Sequence, residues 1–228
     1  MRFPTPALLL LLALPLPLQA DARKHFSEWT LQEAVKILTD SPWAKQHTST
    51  RVVGGIGSGV QGEKEIYNTF FIRFLSALPI REALARVQQI QQGYDELSEE
   101  EKREFDADLA SGLDMDVSRW IVMTVSFRSN NRESEREIRR FLQTQTVETL
   151  KNRVYLSTDQ FMRVDLVAYF PPRGDVVGAK FLFPREIDGE ATVWPEDGSL
   201  TFQLDLPGPG VTVTFPVFDM IVDSELII

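Results

Sequence analysis

The chain has 228 residues, 43% apolar and 25% charged, which is the composition of an ordinary folded protein and excludes a disordered or fibrous one. It contains no cysteine, so disulfides, a thiol nucleophile, Cys-ligated zinc and c-type haem are excluded together. A formal net charge of −9 gives a surface that repels nucleic acid and anionic lipid.

At the N-terminus Arg2 precedes an apolar run centred on Leu8 to Leu14, which Pro15 and Pro17 close. A membrane span needs about 20 apolar residues, so the shorter run here predicts a secretory leader. Ala20-Asp21-Ala22 is the small-x-small pattern of signal peptidase and places cleavage after Ala22, with Ala20 as the competing position. Next, Thr30 and Glu33 have capping-box spacing, and Leu31, Ala34, Val35 and Leu38 come at helical intervals to form one apolar face. Ser41-Pro42-Trp43 predicts that this helix stops and a second one starts, with Ser41 as cap and Pro42 in the first turn. The break would fold Trp43 back onto Leu31, Val35 and Leu38 and bury it.

Trp29 to Lys45 (WTLQEAVKILTDSPWAK), Ser76 to Ala83 and Phe215 to Ile228 resemble an uncharacterised family of exported bacterial proteins, many of them acidobacterial. The resemblance covers a modest part of the chain. It implies export and a shared fold, and it brings no functional residue across.

Gly57-Ser58-Gly59-Val60-Gln61-Gly62 fits the glycine pattern of a dinucleotide site. Such a site must follow a strand and open directly into a helix whose N–H groups hold the phosphates. Here helical and polar sequence precedes the glycines, and Ile66 to Leu75, rich in aromatic and β-branched residues, comes after them as a strand. A Walker-type loop fails because Glu63 stands where the lysine is required. Gly54 to Gly62 is therefore expected to be an exposed connection.

Pro79 starts a helix that buries Ile80, Ala83, Leu84, Val87 and Ile90, turns Gln88, Gln89, Gln91 and Gln92 to water, and ends at Gly93. Ser98 and Glu101 cap another, running to about Ala110 and burying Phe105 and Leu109. Val117 to Phe127 is apolar on both sides and predicts a central strand. A charged helix comes next, with Ile138, Phe141 and Leu142 inward and Glu135 and Arg139 as an i, i+4 pair. Beyond Arg153, strands are expected at 154–157, 163–170, 180–183, 191–194, 200–206 and 211–217. Their short Pro- and Gly-rich connections can join only antiparallel neighbours.

Few residues offer chemistry. Ser58 lacks the glycines two positions to either side that a nucleophile elbow requires, and no lysine has a serine three residues before it. His25 and His47 are the only histidines and do not have the spacing of a zinc pair; His47 is expected at a helix end. Asp106, Asp108, Asp114 and Asp116 cluster around Gly112 without the ligand order of a calcium loop. Of the four tryptophans, Trp43 and Trp120 are expected to pack inside and Trp194 to be exposed, with Trp29 leading into the first helix.

The sequence therefore predicts an α+β fold: a leader at 1–22, N-terminal helices with one or two strands over 23–152, and an antiparallel meander over 153–228, packed as one domain. The expected function is a secreted or periplasmic, non-enzymatic binding or structural component of the cell envelope. Its partner would be another envelope protein or a small ligand, with no nucleic acid, no cofactor, no metal and no transmembrane span after leader cleavage. The alternative is a carboxylate-dependent hydrolase whose acids the sequence does not identify.

Overall fold

In the computed structural model Thr30 caps the first helix as its spacing predicts. Its hydroxyl accepts from the Glu33 N–H, the Glu33 carboxylate accepts from the Thr30 N–H, and α1 spans Leu31–Thr39. The structure describes residues 24–53, 64–174, 177–208 and 210–228; the expected leader and the glycine-rich run lie outside the described residues.

No helix restarts at Ser41. The Ala44 N–H returns to the Ser41 carbonyl, which makes a turn with Pro42 at its second position, and the chain enters strand β1, Ala44–Val53. Proline suits that turn position as well as it suits a helix start, and the Thr- and Val-containing sequence beyond it favours extended backbone. His47 thus lies within a strand rather than at a helix end, opposite Phe70 of β2, Lys64–Phe74. The glycine-rich run is accordingly preceded by a strand, contrary to expectation. The element after it, β2, is the expected strand and not the helix that a dinucleotide site requires.

The remaining elements run α2 (Leu78–Gln91), α3 (Glu99–Leu113), β3 (Trp120–Ser129), α4 (Arg132–Thr144) and α5 (Val147–Leu150). After them come β4 (Val154–Ser157), β5 (Val164–Asp165), β6 (Ala168–Phe170) and β7 (Ala179–Pro184). The chain closes with β8 (Glu186–Ile187), β9 (Glu190–Ala191), β10 (Ser199–Leu204), β11 (Val211–Pro216), β12 (Ile221–Val222) and β13 (Glu225–Leu226). The fold is α+β with an antiparallel C-terminal part, as expected. The strand predicted over 163–170 divides, because β5 pairs with β4 while β6 pairs with β7 in the other sheet. The strand predicted at 191–194 shortens to one side of the β8–β9 hairpin.

Two sheets face each other. The first has the order β1-β2-β3-β7-β6, with β3 central as predicted, and the second the order β11-β10-β4-β5. Register places Phe70, Ile72 and Phe74 of β2, Met123 and Val125 of β3, and Ala179 and Phe181 of β7 on one face. That face meets the second sheet through aromatic pairs, Phe74 with Phe215 at 4.8 Å and Phe181 with Phe202 at 5.7 Å between ring centroids. The β3–β7 pairing joins strands from before and after residue 153, so the two halves share one core. Gly178, just before β7, has φ +88, and a Cβ there would stand 2.3 Å from the Val125 carbonyl oxygen; only glycine fits.

The opposite face of the first sheet carries Val122, Thr124 and Arg73, all buried. Arg73 Nε donates to the Leu38 carbonyl at 2.7 Å, tying the end of α1 to this face. The buried side of α1 is Ala34 and Leu38 with Ile37 half-buried, while Leu31 and Val35 are 45% and 42% exposed, against the predicted stripe. On α2, Gln89 is buried rather than wet, because it accepts from Arg86 Nη1 at 3.3 Å. Phe105 and Leu109 of α3 are only half-buried. No helix among the described residues is long and apolar enough to cross a membrane.

Candidate functional site: an aromatic cleft

A 3-10 turn, Phe26–Glu28, crosses the surface beside α2 and leads into Trp29. Two hydrogen bonds fix Trp29: its indole N–H donates to the Lys24 carbonyl at 3.1 Å, and its own carbonyl accepts from Arg86 Nε at 2.7 Å. The burial of Arg86 and Gln89, polar residues on the inner side of α2, is explained by this anchoring. Trp43 is set by the Ser41-Pro42 turn, and its indole N–H donates to the Ile227 carbonyl at 2.6 Å. The C-terminal stretch is itself held, with the Ile227 N–H on the Met220 carbonyl at 3.0 Å and the Arg185 guanidinium on the Ile228 carbonyl.

Between these anchors lies a cleft of about 550 Å³, walled by Trp29, Trp43, Ile37, Leu78, Pro79 and Ile227. That volume is in the range of small-molecule sites. Charged side chains reach it at Lys24, His25 and Glu82. Lys24 is engaged, its Nζ 3.0 Å from Glu33. The Thr30 N–H first and Lys24 second hold the Glu33 carboxyl at about 2. Glu82 accepts no hydrogen bond and has no ion pair within 4.0 Å among the described residues. Burial raises its pKa, and the charges of His25 and Arg81 offset this only in part. Arg81 is occupied elsewhere, donating to the carbonyls of Leu75, Ser76 and Leu113.

The same turn borders a second cavity of about 370 Å³, lined by His25, Gln89, Tyr94, Asp106 and Asp114 among others. There the Tyr94 hydroxyl donates to Asp106 Oδ2 at 2.7 Å, which pushes the phenol up to about 12.

The residues singled out from sequence are only partly brought together. His25 lines both cavities, with Nδ1 2.8 Å from Ser27 Oγ, and His47 lines neither. Of the four aspartates, Asp106 and Asp114 share the smaller cavity, while Asp116 accepts from the Ser118 N–H at 3.0 Å. Among the described residues no three or more His, Asp or Glu side chains converge as metal ligands. Trp194 is exposed, as predicted. Trp43 is half-buried, and it walls the cleft with Ile37 rather than packing with Leu31 and Val35. Glu82, Trp29 and Ile227 carried no signal of a site, because the cleft joins segments that are far apart in sequence. No protein-family model, curated protein or solved structure matches this chain.

Proposed function

We propose that the protein is an exported binding protein that takes a small amphipathic ligand into the aromatic cleft and does no chemistry on it. One observation carries this reading: a cleft of about 550 Å³ whose walls include two tryptophans, a phenylalanine and five aliphatic side chains, with one carboxylate, Glu82, that has no hydrogen bond or ion pair among the described residues. Large apolar walls with few polar groups are how small-molecule sites hold and orient a ligand. Export is supported by the apolar segment ending at Ala20-Asp21-Ala22. The hydrolase alternative has less support. It would draw on Asp106 and Asp114 in the smaller cavity, where Asp106 already holds the Tyr94 hydroxyl.

A neutral fluorescent dye, N-phenyl-1-naphthylamine, tests the reading. Saturable binding of one dye per chain is expected, with quenching of tryptophan emission. Leu78 is 44% exposed at the cleft rim, and Leu78→Asp places an acid in the first turn of α2, where the helix tolerates it. This variant should melt like the wild type and lose the dye. Equal dye binding by both proteins would overturn the reading.

A further inference from the structure

We infer that the ligand of this cleft carries a positive charge, an ammonium or amidinium group that faces the Glu82 carboxylate while its apolar part lies against Trp29 and Trp43. The inference rests on the proposed binding function and adds the chemistry of the ligand to it. Three charged groups reach the cleft, and two have partners within the chain. Lys24 is in its ion pair with Glu33, and His25 is in contact with Ser27 Oγ. Glu82 has neither a hydrogen bond nor an ion pair among the described residues, although burial disfavours its charge. Arg81, next to it in sequence, donates its hydrogen bonds to three backbone carbonyls and offsets the charge of Glu82 only in part.

A half-buried carboxylate in an apolar cleft, whose burial the charges of His25 and Arg81 offset only in part, leaves a residual cost to the free protein. A bound cation removes that cost, and a neutral or anionic ligand does not. The walls act in the same direction, since indole faces attract ammonium and guanidinium groups. An anion would be repelled by Glu82 and would have to draw Lys24 away from Glu33.

Three probes of matched shape, naphthylmethylammonium, naphthylmethanol and naphthoate, can be competed against the neutral dye on the purified protein. The expected order is ammonium, then alcohol, then carboxylate, with the ammonium at least about tenfold tighter than the alcohol. Glu82→Gln should bring the ammonium-to-alcohol affinity ratio down to about one, and Glu82→Asp should keep part of the preference. If the dye binds but ammonium and alcohol bind equally, or naphthoate binds best, the charge assignment is overturned and the cleft reading survives. If the dye does not bind at all, both are lost.

Discussion

A carboxylate on the flank of a helix ordinarily lies in water, and Glu82 is instead half-buried in a cleft that it lines together with Trp29, Trp43, Leu78 and Pro79. Its raised pKa has a consequence for stability. In the unfolded chain it ionises near the ordinary carboxyl value of 4.5, whereas in the folded protein ionisation is delayed to higher pH. Its ionisation therefore opposes folding as pH rises through this interval, and below it the group is protonated in both states. His25 and Arg81 are the charges that bear on it, Lys24 of the same cleft is paired with Glu33, and none of the three forms an ion pair with Glu82. Glu82→Gln should accordingly raise the melting temperature at pH 7 and leave it unchanged at pH 3.5. An equal effect at both values would show that charge is not the cause. Trp43 is the second residue whose role is measurable. Trp43→Ala removes a half-buried ring and its bond to the Ile227 carbonyl, and should cost about 2–3 kcal/mol in denaturant titrations. Trp43→Phe, which keeps an aromatic wall and loses the bond, should cost about 1 kcal/mol.

At the scale of elements, helix starts were legible because their chemistry is local. Thr30 with Glu33 and Ser98 with Glu101 both form the capping boxes their spacing predicts. Thr30→Ala should lower stability by about 1 kcal/mol, checked by the denaturation midpoint. The Ser41-Pro42 segment misled for an equally local reason, since proline fits both a helix's first turn and the second position of a β-turn. What decides is the pairing of β1 with β2 along its whole length, a contact made more than ten residues away. Gly178 shows the same dependence on distant structure. Nothing in its neighbourhood in the sequence marks it, yet Val125 on another strand leaves no room for a Cβ. Gly178→Ala should therefore destabilise by more than about 2 kcal/mol, whereas Gly189→Ala, also at positive φ but with open space around it, should cost about 1 kcal/mol. Similar losses for the two would mean that the clash at Val125 is relieved by movement.

At the scale of the whole molecule, the alternation of Leu200, Phe202 and Leu204 against Thr201 and Gln203 announced an antiparallel sheet with one buried face, and that face is in the core. The division into two sheets was not legible, because strand order depends on which aromatic faces meet, and periodicity is blind to partners. The cleft was hidden for the same reason. Trp29 and Trp43 come from the start of the chain, Glu82 from α2, and Ile227 from its last residues. Each was readable as packing, and only the fold places them around one space in which Glu82 has neither a hydrogen bond nor an ion pair among the described residues. The most direct test is a crystal structure of the protein soaked with naphthylmethylammonium. The prediction is one molecule with its ring between Trp29 and Trp43 and its nitrogen within hydrogen-bonding distance, about 3 Å, of a Glu82 carboxylate oxygen. A fully occupied ligand elsewhere on the surface, with the cleft empty, would contradict it.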